Sequence, residues 1–136
     1  MKNARRSTFI AAAALAAALS ASCGARMYPG PARQASEIAV LATDHATTQI
    51  MTLDGARNGS YLKRRFEVLP GAHKLGVAYE SSVAVSGSRL LLEASVDAGK
   101  TYTVRMTQEG AEIRFEVVDD ATGAVVSKIV GDEPNE

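Results

Sequence analysis

The chain has 136 residues, with 15 Lys and Arg against 15 Asp and Glu, no tryptophan and a single cysteine. That length fits one domain behind a short leader, and a lone cysteine excludes an intrachain disulfide framework. The balanced charge excludes the strongly basic field that non-specific nucleic-acid binding draws on.

The first element is a leader. Met1 to Arg6 carries three cations and no acid, Phe9 to Leu19 is an eleven-residue run of Ala, Leu, Ile and Phe, and Ser20-Ala21-Ser22-Cys23 follows. A basic n-region, a short apolar h-region and a small-residue cleavage site compose a secretory signal. The run falls short of the about 20 apolar residues that a membrane-spanning helix needs. Arg5-Arg6 serves as ordinary n-region charge. The segment resembles a bacterial lipoprotein signal. That resemblance implies removal of residues 1–22, lipidation of Cys23 as the first mature residue, and a place in the cell envelope. With Gly24 rather than an acid after the cysteine, it implies the outer membrane, facing the periplasm. The residues alone also fit a soluble secreted chain cut nearby, with Cys23 removed or left as a free thiol. Loss of residues 1–22 leaves 12 basic against 15 acidic residues.

Residues 23–35 read as a flexible tether, because Pro29, Gly30 and Pro31 interrupt regular structure and no apolar period appears. From residue 36 to 130 the dominant period is two. Ile38 and Val40, then Leu75, Val77 and Tyr79, then Leu90, Leu92, Ala94 and Val96 each alternate with small or polar residues. Tyr102, Val104 and Met106, and then Ile113, Phe115 and Val117, do the same. Such alternation marks strands with one buried face. Asp54-Gly55, Asn58-Gly59, Pro70-Gly71, Ser86-Gly87, Ala98-Gly99, Glu109-Gly110 and Thr122-Gly123 supply positive-φ turn residues between them. The expectation is an all-β domain, an antiparallel β-sandwich or small barrel of seven to eight short strands, with residues 131–136 as a frayed tail.

Ile50 to Tyr79 runs from an apolar strand through Asp54-Gly55 and a second strand to Leu69-Pro70-Gly71-Ala72-His73 and a further strand. This order resembles PEGA-type modules, small β-sandwich domains of bacterial envelope and surface proteins. The resemblance covers about 30 residues. It implies envelope location and a non-enzymatic β domain, with Pro70, Gly71 and His73 as a structural corner. Independently of it, Pro70 fixes φ and Gly71 suits the αL position of a type II turn.

Candidate chemistry is sparse. Ala94-Ser95-Val96-Asp97-Ala98-Gly99-Lys100-Thr101 fits a permissive phosphate-loop pattern, but a working loop needs a helix behind it. Tyr102-Thr103-Val104-Arg105-Met106 reads as a strand instead, so a hairpin turn is expected and no nucleotide. His45 and His73 are the two histidines and have no metal-ligand spacing around them. Lys63-Arg64-Arg65 is the one dense basic cluster, and with Tyr61 it forms the candidate binding surface. If these residues lie on a strand, Lys63 and Arg65 face one way with Tyr61 and Glu67, and Arg64 shares the apolar face of Leu62, Phe66 and Val68. The same cluster also reads as a solvated edge strand shielded by charge. The expected function is that of a lipid-anchored envelope module that binds or supports, without a cofactor, metal or catalytic residue. Its partners are the membrane and an envelope protein, glycan or anionic lipid. The alternatives are a small envelope hydrolase with a Ser/His/Asp site around His73, and an accessory or inhibitor protein that binds another protein through a sheet edge.

Overall fold

A computed structural model describes residues 24–45, 47–58, 63–79 and 89–132. Residues 1–22, Cys23 and Tyr61 lie outside the described residues, as do the Gly59 and Ser86-Gly87 turn positions. In chain order the elements are β1 (Ala25–Arg26), a 3-10 turn (Ala35–Glu37), β2 (Ala39–Thr43), β3 (Thr48–Leu53) and β4 (Ala56–Arg57). There follow β5 (Arg65–Val68), β6 (Gly71–Tyr79), β7 (Leu90–Val96), β8 (Thr101–Glu109), β9 (Glu112–Asp119) and β10 (Ser127–Asp132).

The strands form two five-stranded sheets, β1-β5-β2-β8-β9 and β10-β7-β6-β3-β4. Alternating side chains point from each sheet into the space between them. Leu41, Phe66, Val68, Tyr102, Val104, Phe115 and Val117 from the first sheet meet Ile50, Leu53, Leu75, Val77, Leu92 and Val96 from the second, all buried. This is a sandwich, and the sheets do not close into a barrel. It has ten strands among the described residues, rather than seven or eight. The second sheet is wholly antiparallel, whereas the first holds two parallel pairs, β1 with β5 and β2 with β8. A parallel pair needs a crossover of distant segments, which no local pattern announces.

The turn signals mark two kinds of junction. Asp54 and Gly55, with φ of 51° and 82°, form the two-residue hairpin between β3 and β4 that positive φ at both positions permits. Gly110 turns β8 into β9 in the same sheet. By contrast, Asp97 to Lys100 is not the expected in-sheet hairpin, since β7 and β8 belong to different sheets. Its Gly99 N–H donates to the Ile38 carbonyl at 2.7 Å, and the Asp97 N–H donates to the Tyr102 hydroxyl at 2.8 Å. Both bonds pin the arch to the edge of the core.

Alternation sets the inward faces correctly on β6, β7, β8 and β9. It misplaces β2, where Ala39 and Leu41 face the core and Val40 is half-buried. β2 is the central strand of its sheet and carries apolar residues on both faces, so hydrophobicity there does not mark the inner one. On β3 an extra residue, Met51, enters between Ile50 and Thr52, because Ile50 faces Val77 and Thr52 faces the next residue, Gly76. This bulge lets Thr48, Ile50 and Leu53 all be buried.

The segment read as a tether belongs to the domain. Ala25 and Arg26 pair in parallel with Phe66 and Glu67, the Met27 N–H donates to the Glu67 carbonyl at 2.9 Å, and Ala25 and Met27 pack against the core. Tyr28 is 7% exposed. Its hydroxyl accepts the Arg33 N–H at 3.0 Å, and the Arg26 and Arg33 guanidinium carbons lie 5.7 and 6.0 Å from its ring centre. At the other end the tail does not begin at Gly131, because Gly131 and Asp132 continue β10 opposite Leu91 and Leu90. Tyr28→Ala should lower folding stability by about 2 kcal/mol through lost burial, read as a shift in the urea midpoint. An unchanged midpoint would return this segment to the status of a tether.

Candidate functional site

The sandwich has two ends, and the topology sorts the candidate residues between them. At one end lie Gly24, the β2–β3 connection, the start of β5 and the β8–β9 tip. At the other lie Asp54-Gly55, the Leu69 to Gly71 corner, the Asp97 to Lys100 arch and Asp119.

Lys63, Arg64 and Arg65 are at the first end. β5 starts at Arg65, so Lys63 and Arg64 precede the strand, and all three side chains are exposed. Arg64 therefore does not share the buried face of Phe66 and Val68. Its carbonyl instead accepts the Thr43 N–H at 3.0 Å, which fixes the entry into β5. Glu67, expected to point outward with Arg65, is buried in β5 between β1 and β2. Among the described residues, Lys63, Arg64 and Arg65 form no ion pair, whereas Arg105 pairs with Glu116 at 3.0 Å and Arg114 with Glu112 at 3.3 Å.

Beside the cluster is a shallow depression that Thr48, Met51, Asn58, Lys63 and Arg64 help to line. The Met51 bulge shapes it. Asn58 holds the bulge, its N–H donating to the Met51 carbonyl at 2.8 Å and its Nδ2 to the Ile50 carbonyl at 3.2 Å. The Thr48 hydroxyl is buried and has no hydrogen-bond partner among the described residues. Two cations and polar groups around a hollow suit an anionic group better than a neutral one.

The corner at the opposite end is structural. Asp54 stands at the hairpin tip with one carboxylate oxygen accepting the Lys74 N–H at 2.9 Å and the other facing His73 Nδ1 at 2.5 Å. His73 Nε2 lies 2.5 Å from the Leu69 carbonyl. Both ring nitrogens are thus engaged at hydrogen-bond distance, and neither is left to take a proton from a serine. The His73 side chain is 13% exposed. Gly71 has φ of 128° and already belongs to β6. It thus needs a positive φ, as expected, but beyond the about +80° of a type II turn. His45 is likewise engaged, its Nδ1 accepting from the Thr47 N–H at 3.2 Å and lying 2.6 Å from the Thr47 hydroxyl. Asp54 is the residue that sequence reading missed as His73's partner. Its signal is the Asp-Gly hairpin tip 19 residues upstream, whose composition announces a turn and not a partner.

Lys100 of the phosphate-loop-like run faces Asp119 at 3.3 Å and Asp97 at 3.7 Å, and a strand follows it. The Ala121 N–H, donating at 2.9 Å, is the largest influence holding the Asp119 carboxyl below its ordinary range. Burial opposes this and Lys100 adds to it. The hydrogen bond to Asp119 raises Lys100 in turn. No three His, Cys, Asp or Glu side chains converge as a metal site among the described residues. No described helix is long and apolar enough to cross a membrane.

No family model, curated protein or solved structure matches this chain.

Two outcomes follow from the corner and the arch. A Cβ at Gly71 meets no atom within 4 Å, so Gly71→Val should cost about 1 to 3 kcal/mol from backbone strain alone. His73→Ala should cost about 1 kcal/mol by removing its hydrogen bonds to the half-exposed Asp54 carboxylate and the Leu69 carbonyl, and combining it with Asp54→Ala should cost less than the sum in urea melts. For Asp119, a carboxyl depressed in the folded state binds fewer protons there than when unfolded. Its contribution is full above the ordinary aspartate value of about 3.9 and is lost as pH falls through the lower folded value. Melting temperature should decline across that acid window in the parent and decline less in Asp119→Asn. Parallel acid limbs would remove Asp119 as a source of pH dependence.

Proposed function

We propose that this chain is a lipid-anchored module of the bacterial cell envelope, PEGA-like in its sandwich, held through Cys23 at the outer membrane and facing the periplasm. It acts by binding or by support rather than by catalysis. The observation that carries this reading is the junction between leader and domain. A basic, then apolar, then small-residue leader ends at Cys23, and the first strand begins at Ala25. A thiol placed in sequence between a signal and the first strand is positioned for attachment.

The surroundings of the candidate residues support a binding role over the alternatives. His73 spends both ring nitrogens on Asp54 and Leu69, which weighs against a hydrolase built on it. Strand addition at β10 has exposed Ile129 and Val130 in its favour. Against it stands a bulge at Val130, where Ile129 faces Leu92 and Gly131 faces Leu91, since an irregular edge is a poor template. Lys63, Arg64 and Arg65, which form no ion pair among the described residues, favour an anionic partner.

Growth with a labelled fatty acid should mark the parent chain and leave Cys23→Ser unmarked. The parent's mature N-terminal peptide should begin at Cys23 and carry acyl mass. Label retained in the variant, or an unmodified parental N-terminus, would overturn the anchor.

A further inference from the structure

The parallel pairing of β1 with β5 fixes where the anchor leaves the domain. Ala25 lies beside Phe66 and Arg26 beside Glu67, so Gly24 precedes its strand at the same end at which Arg65 precedes Phe66. Cys23 is two residues before Ala25, and two residues of fully extended chain span at most about 7 Å. A flexible tether of 13 residues would instead stand off by roughly 20 Å. Screening decides which distance matters: the Debye length is about 8 to 10 Å at physiological to moderate salt. The short exit keeps the domain within that range of whatever surface holds Cys23.

The residues that share this end are Lys63, Arg64 and Arg65, all exposed and free of ion pairs among the described residues. The neighbouring charges on the same sheet cancel in pairs, Arg105 with Glu116 and Arg114 with Glu112. Asp44, after β2, and Glu109, at the β8–β9 tip, are the acids at this same end, and neither pairs with the three cations among the described residues. The cluster therefore remains a local cationic surface on a chain that is acidic once residues 1–22 are lost.

We infer that the end of the sandwich carrying Lys63, Arg64 and Arg65 lies against anionic phospholipid headgroups of the membrane in which Cys23 is anchored. This rests on the proposed anchoring. Acylation supplies insertion, and the cations supply a second attachment that sets which way the domain faces. Each basic residue close to an anionic bilayer multiplies partitioning roughly fivefold.

The test uses the acylated mature protein reconstituted into vesicles of equimolar phosphatidylglycerol and phosphatidylcholine, or of phosphatidylcholine alone, and labelled with an amine-reactive acetylating reagent. Lys63 should label about fivefold or more slowly on the anionic vesicles, with protection lost at high salt. Lys74, at the opposite end, serves as the internal control and should label equally on both. Arg64→Gln with Arg65→Gln should restore Lys63 labelling. The same digest reports the mass of the N-terminal peptide, so a missing acyl group refutes the anchor independently of the labelling. An acylated protein whose Lys63 responds like Lys74 refutes the oriented contact and leaves the anchor standing. Protection of Lys63 by added soluble anionic glycan, but not by anionic vesicles, would likewise overturn it in favour of a glycan partner.

Discussion

Everything in this domain depends on the contact between the inward rows of its two sheets. The chain has a single cysteine, so no intrachain disulfide limits the unfolded state, and apolar burial has to offset the conformational entropy of ordering it. The largest fully buried side chains, Tyr102, Phe66, Leu41, Ile50, Leu75 and Leu92, come from six different strands across both sheets. A core assembled that way couples distant parts of the chain. Hydrogen bonds at its rim are then secondary fasteners, as when the Tyr102 hydroxyl receives the Asp97 N–H where the chain passes between sheets.

The two ends of the sandwich are built differently. At the Asp54 end, polar groups are spent on one another: Asp54 with His73 and Lys74, and Asp119 with Lys100 and Ala121. Such satisfied networks order turns and leave little capacity for a ligand. At the Gly24 end, three cations remain without intramolecular partners among the described residues, and they adjoin a hollow. The separation follows from strand direction alone. β5 starts where β1 starts and finishes at the Leu69 corner, so a four-residue strand has its basic entry at one end and its histidine corner at the other.

Much of the fold was legible because one face of most strands is buried, which prints a period of two into the sequence. Leu92, Ala94 and Val96 on β7 or Phe115 and Val117 on β9 need no further information. β2 was misphased because a central strand is covered on both sides. β1 was missed because two residues cannot display a period, and Pro29-Gly30-Pro31 just beyond them signals irregularity correctly while saying nothing about whether the segment is held. Its holding comes from Tyr28 and from pairing with a strand some 40 residues away. At the candidate site, the residue types of Lys63 to Arg65 were visible as a cluster. Their position before the strand rather than on it was not, since alternation places a side chain only where the chain is already in a strand, and β5 begins at Arg65.

The bulge on β3 has one more implication. Counted along the strand, Thr48, Ile50 and Leu53 would keep their inward positions, at regular two-residue spacing, if Met51 were absent. Packing between the sheets therefore gains nothing from that residue, and a shorter strand would serve the hydrophobic interior equally well. The extra residue instead shapes the surface, where it lines the hollow next to Lys63 and Arg64. Strand length here is dictated by the outside of the protein rather than by its interior.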